Sequence, residues 1–170
     1  MPTVFSFLPI ANANARVLIL GSMPGVRSLQ AGQYYAHPQN AFWPIVGACC
    51  GFDAALPYAE RTRLVVERGI ALWDVLQSCA RQGSLDADID ATTARANDFA
   101  AFLATHHRIE AVLCNGGTSF AKFERLVLPC IAARGAALRV VRLPSTSPAH
   151  TMPRAQKLAA WREALAEFTT

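Results

Sequence analysis

Four short apolar runs punctuate the chain, at Arg16–Leu20, Ile70–Trp73, Ile109–Cys114 and Leu138–Leu143. None alternates cleanly between apolar and polar residues, as a strand with one wet face would, so each is expected to be a parallel strand covered on both faces. The segments around them predict helices at Ala41–Cys50, Pro57–Arg68, Thr93–Thr105, Ser119–Leu128 and Pro153–Glu167. Pro57 and Pro153 suit a first helical turn, where the missing N–H leaves nothing unpaired. In the last helix Leu158, Trp161, Leu165 and Phe168 recur at near-helical spacing and predict a face packed into the core. Strand and helix alternating over the whole length predict an α/β fold, a three-layer sandwich with a short, mostly parallel four-stranded central sheet flanked by helices. No repeat, low-complexity block or linker divides the sequence, so a single domain over residues 1–170 is expected.

Composition narrows the class without naming a chemistry. With 52% of its 170 residues apolar and 16% charged, the chain reads as globular and not as disordered. A chain this long buries roughly 70% of its extended surface, enough for one substantial core. No apolar run approaches the ~20 residues of a membrane span, and no basic segment followed by an apolar core opens the sequence, so a cytoplasmic protein without membrane contact is expected. Cys49, Cys50, Cys79, Cys114 and Cys130 show no C-x-x-C spacing, so neither a metal site nor any other cofactor is signalled. Cys114 closes an apolar run and reads as a small buried hydrophobe. His106 and His107 are adjacent and would diverge as ligands, which fits the end of a helix better.

The net charge is +4, and of 16 basic residues only Lys122 and Lys157 are lysines. Arginine forks fit phosphates, and the balance suits a polyanionic partner, although a GC-rich coding sequence would also favour arginine. Both lysines fall on helical segments, expected to lie away from the two loops described next.

Two loops follow apolar runs at opposite ends of the chain. Gly21-Ser22-Met23-Pro24-Gly25 follows the first run and leads to Gln33-Tyr34-Tyr35-Ala36-His37-Pro38-Gln39-Asn40-Ala41-Phe42-Trp43. Pro144-Ser145-Thr146-Ser147-Pro148-Ala149-His150 follows the last. Neither matches the phosphate-binding G-x-x-x-x-G-K-[ST] loop or the G-x-G-x-x-G dinucleotide fingerprint. In an open parallel sheet the ligand lies outside the carboxyl ends of the strands, where both loops fall. Aromatic rings interleaved with a few polar groups suit a flat, polar nucleobase.

At these residues the chain resembles the uracil-DNA glycosylase superfamily, whose first motif is a strand-ending G-x-x-P-G followed by a base-stacking aromatic. Its second motif is an H-P-S-P-like loop after the last strand. Tyr35 to Trp43 is similar to the mismatch-specific uracil glycosylases. Two departures pull away from that branch: Met23 stands where most members have Asn or Asp, and Ser145-Thr146-Ser147-Pro148 lacks the opening histidine. The G-S-M-P-G loop, the downstream Asn and the S-T-S-P-A loop resemble the hypoxanthine-DNA (deoxyinosine) glycosylase branch.

The resemblance implies an enzyme that flips a deaminated base from DNA and hydrolyses its glycosidic bond, acting as a monomer. It makes Asn40 the main catalytic residue, while the residues alone equally allow an Asn that caps the helix starting near Ala41. His150 would touch a phosphate or the leaving base. Gly21, Ser22, Met23, Tyr35, Asp74 and Asn115 would line the base pocket, although Asp74 also suits a helix cap and Asn115 a turn. Gly25, Ser145, Thr146, Ser147, Pro148 and Ala149 would meet the DNA backbone, with Ala149 at the wedge position. No lysine lies in either loop, so a monofunctional enzyme is expected. Three rival readings stay open: a glycosylase for uracil or thymine opposite guanine, a non-catalytic reader of damaged DNA, and a nucleotide-binding domain with Gly116-Gly117-Thr118-Ser119 as an anion cradle.

Overall fold

In the computed structural model, which describes residues 1–169, the chain opens with β1 (Thr3–Phe5), β2 (Val17–Gly21), α1 (Val26–Ala31), α2 (Phe42–Cys50) and α3 (Tyr58–Glu67). It continues through β3 (Ile70–Asp74), β4 (Leu76–Ala80), β5 (Arg95–Ala96), α4 (Phe99–Thr105), β6 (Ala111–Asn115) and α5 (Gly117–Lys122). A wider π-type turn over Phe123–Val127 leads into α6 (Leu128–Ala136), followed by β7 (Arg139–Leu143) and α7 (Arg154–Leu165).

The four apolar runs form one parallel sheet in the order β3-β2-β6-β7. Their lack of alternation has a direct cause: successive residues feed two different cores. Leu18, Leu20, Val112 and Cys114 pack with Phe102 of α4 and Phe123 of the π turn, while Val17, Ile19, Ala111 and Leu113 pack with Phe42 of α2 and Trp161 of α7. Each Leu or Ile so buried contributes about 1.5–3 kcal/mol. The expected three layers are present, and no helix among the described residues is long and apolar enough to cross a membrane.

A second sheet, β1-β4-β5, is antiparallel and was not expected. Only Val75 separates β3 from β4, so the chain passes straight from one sheet into the other. Backbone bonds from Val75 N to Gly21 O (2.8 Å) and from Leu76 N to Ser22 O (3.1 Å) hold this junction against the end of β2. The helix expected over Thr93–Thr105 is shorter than its pattern. Arg95–Ala96 pair with β4 instead, and α4 begins at Phe99 behind an Asp98 cap whose carboxylate accepts from Ala101 N at 3.1 Å. His106 ends α4 as its cap, with its Nδ1 2.8 Å from Phe102 O.

From the end of β2 the chain goes to β3 on one side, and from β6 it goes to β7 on the other. The crevice between the carboxyl ends of β2 and β6 is therefore a topological switch point. Register places Gly21 opposite Asp74 and Asn115 opposite Leu143 along that edge.

Candidate active site

A cavity of about 720 Å³ occupies the switch point. Every residue singled out from the sequence lines it: Gly21, Ser22, Met23, Gly25, Tyr35, Asn40, Asp74, Asn115 and the whole loop from Ser145 to His150. Sequence reasoning missed the turn Ser84–Ala87, Arg27 and Arg142, which complete the wall.

The two loops are tied to each other and to the sheet. Ala41 N donates to Thr146 O at 3.0 Å, joining the first segment to the second. Asn115 grips Thr146 twice, its Nδ2 donating to Thr146 Oγ1 at 3.0 Å and its Oδ1 accepting from Thr146 N at 2.9 Å. That clamp occupies both ends of the Asn115 amide and turns Thr146 inward, leaving it 1% exposed. Ser145 and Ser147 keep their hydroxyl hydrogens for a ligand, since each Oγ only accepts, from Ser147 N and Ala149 N respectively.

Lys157 corrects the expectation that both lysines lie far from the loops. It is 4% exposed beneath the second loop and donates to Ser147 O at 3.1 Å and His150 O at 2.7 Å. Burial, with Arg154 nearby, pushes its ammonium below the ordinary lysine range. In the anion-cradle reading of Gly116–Ser119 the Ser119 hydroxyl is already engaged, since buried Ser119 donates to Leu20 O at 2.8 Å, and Thr118 keeps its place at the cavity wall.

Tyr35 is held in the left-handed region at φ 57, a conformation that costs a non-glycine residue about 1–2 kcal/mol. Its neighbours impose it. Tyr34 is fixed by bonds to Tyr58 Oη (3.0 Å), Leu8 O (2.8 Å) and Trp43 Nε1 (2.9 Å), and Ala36 N is fixed on Ser28 Oγ at 3.1 Å. The strain aims the Tyr35 ring against Phe42, with centroids 3.8 Å apart and planes 18° apart, and buries a hydroxyl that finds no partner. Burial, followed by the charge of Asp74, holds that phenol well above its ordinary range.

Asn40 stands one residue before Ala41, the cap of α2, and its Oδ1 accepts from Phe42 N at 3.0 Å in a turn that leads into the helix. That bond fixes the amide by its oxygen and leaves Nδ2 without a partner among the described residues, at the cavity wall.

Neither loop contains an acid, yet the cavity has two carboxyl groups. Asp74 comes from the end of β3, and Asp86 from the turn after β4, which sequence reasoning did not single out. Asp86 Oδ1 accepts from Ser22 Oγ at 2.6 Å. Asp74 is 3% exposed and its Oδ2 is unpaired. Burial first, then the charge of Asp86, pushes Asp74 up to about 7, against an opposing pull from Arg81. Asp86 is also raised by burial but is steadied by Ser22, Arg81 and Lys122. Arg81 lies fully buried behind this pair, with Nη2 on Pro24 O at 2.5 Å. Both acids are thus held above the ordinary carboxylate range, and Asp74 keeps its proton toward neutral pH. Gly21 makes room for them: a Cβ there would lie 2.4 Å from Asp74 Oδ1 and 3.2 Å from Tyr35 Oη.

A sequence profile of the Uracil DNA glycosylase superfamily matches residues 8–169, nearly the whole chain. The chain belongs to this superfamily. Among its relatives there, a protein named hypoxanthine DNA glycosylase from Methanosarcina barkeri (strain Fusaro / DSM 804) is 32% identical over 159 residues, covering 93% of this chain and 95% of the relative. A second protein of that name, from Methanosarcina acetivorans, is 30% identical over 145 residues, covering 85% and 86%. The superfamily fold is matched too: the solution NMR structure of a candidate uracil DNA glycosylase from Methanosarcina acetivorans superposes with a TM-score of 0.83 at 26% identity, covering 99% of this chain and all of that one.

Proposed function

We propose that this protein is a monofunctional DNA glycosylase that extrudes hypoxanthine from DNA and hydrolyses its N-glycosidic bond. One observation carries the reading. Both glycosylase-like loops and two buried carboxyl groups surround a single cavity, in a chain whose relatives over most of its length are named hypoxanthine DNA glycosylase.

Breaking the bond leaves positive charge on the sugar and negative charge on the base, and the site must stabilise both away from bulk water. Tyr35 stacks on the base, backed by Phe42. The free Nδ2 of Asn40 donates to the departing base. Asp74, still protonated toward neutral pH, donates its proton to a purine nitrogen, so that hypoxanthine leaves neutral. The carboxylate form of Asp86, held by Ser22, steadies the sugar cation and takes a proton from the water that attacks C1′. Gly21 and Met23 complete the pocket, and an apolar Met23 in place of an amide removes a donor suited to uracil. Gly25, Ser145, Ser147, Pro148, Ala149 and His150 meet the DNA backbone, while Asn115 positions that loop through Thr146. The Lys157 ammonium is spent on two carbonyls, which supports hydrolysis without a Schiff-base step.

The test is excision from duplexes carrying a single inosine, uracil, xanthine or mismatched thymine, with alkali to cut abasic sites. Inosine is expected to give the product, and Asn40→Ala to slow it by ~10²–10³-fold. Absence of product from every substrate overturns the enzyme reading. Product from uracil alone moves the substrate, and full activity in Asn40→Ala removes that residue from catalysis.

A further inference from the structure

Extruding a base leaves a gap between its former neighbours, and enzymes that do so commonly fill it with an apolar side chain. The wedge position suggested by the second loop is Ala149, which offers one methyl group. The turn after β4 offers more. Leu85 lines the cavity and is 53% exposed, and Val26 beside it is 38% exposed. Exposure alone would mean little for a leucine. What distinguishes Leu85 is how its backbone is held. On one side Ser84 Oγ accepts from Val26 N at 2.9 Å, and on the other Asp86 Oδ1 accepts from Ser22 Oγ at 2.6 Å. Asp88 N closes the turn on Leu85 O at 3.1 Å. Both neighbours of Leu85 are thus pinned to the loop that follows β2, and an apolar side chain is left at the mouth of the pocket. Arg27, exposed one residue after Val26, lines the same cavity and brings a phosphate-matching charge to that rim.

We propose that Leu85 is the wedge that enters the base stack when the target nucleotide is extruded. The proposal rests on the glycosylase reading for its purpose but can be tested apart from it. A duplex carrying a tetrahydrofuran abasic analogue next to 2-aminopurine reports unstacking by fluorescence and requires no excision. Saturating wild-type protein is expected to raise the signal, and Leu85→Ala to lose most of that rise while keeping the wild-type unfolding midpoint. On inosine, Leu85→Ala is expected to slow duplex excision by roughly tenfold or more, since unstacking must then proceed unaided, and Leu85→Met to restore it. Single-stranded inosine, with no stack to open, is expected to be cleaved at the wild-type rate. A fluorescence rise undiminished in Leu85→Ala, or no rise with wild-type protein, overturns the wedge. Parallel losses on single and double strands also overturn it, by giving Leu85 a role that needs no base stack. Failure to excise inosine with the fluorescence result intact would instead move the substrate and leave the wedge standing.

Discussion

Asp74 is a carboxyl group with almost no water, one unpaired oxygen and a second acid close enough to oppose its ionisation. An unfolded chain releases such a proton near pH 4, whereas the folded protein keeps it until about 7. Between those values the native state binds more protons than the unfolded one, so its stability falls as pH rises through that window. Asp74→Asn removes the titration. Denaturation midpoints measured from about pH 4.5 to about pH 8 are expected to fall in the wild type relative to the variant. Parallel curves would show that the carboxyl ionises freely. Excision is expected to decline over the upper part of the same window, because the proton offered to the base is then lost. Glycine at position 21 is the companion of this acid, since a methyl group there would collide with its Oδ1.

At the scale of elements, the central sheet was legible because burial on both faces forces continuous apolar runs, and Val17–Gly21 and Ile70–Asp74 are buried at every position. The antiparallel sheet was not. Its strands are short and partly polar, and Arg95–Ala96 become a strand only because the distant β4 offers a free edge. Local helical pattern lost there to a partner the sequence does not reveal. The loops of the site were readable from glycines, prolines and amides at strand ends. Asp86 was not, because its role comes from the hydroxyl of Ser22, sixty-four residues away. Lys157 was misread for a similar reason: nothing local in its helix marks that its ammonium turns inward to the second loop. Lys157→Met keeps the bulk and removes the donor, leaving two carbonyls short of a partner. The expected outcome is a loss of about 1–3 kcal/mol in denaturant unfolding, with helix content unchanged by circular dichroism and weaker DNA affinity. Affinity and stability equal to wild type would make the contact incidental.

For the whole molecule, a net charge of +4 is modest, so DNA affinity depends on where the arginines stand. Arg27 and Arg142 are exposed and line the cavity on different walls. Binding to duplex DNA is expected to weaken linearly in log–log form as salt rises, and Arg27→Ala to reduce the slope by about 1. A slope unchanged by the substitution would place the phosphates elsewhere. The passage from β3 through Val75 into β4 bears on how such a molecule can change. Asp74 sits at the junction within that ribbon and Asp86 follows its far end, so both acids of the pocket belong to one continuous piece of backbone. The proposed contacts with DNA are shared: Gly25, Arg27 and Leu85 stand with the acids in the first half, and the loop from Ser145 to His150 follows β7 and rests on Lys157 of α7. Because Ala41 N is bonded to Thr146 O, a change in the second loop reaches the start of α2 beside Asn40, whereas the β3–β4 ribbon that carries Asp74 is anchored separately on Gly21 and Ser22.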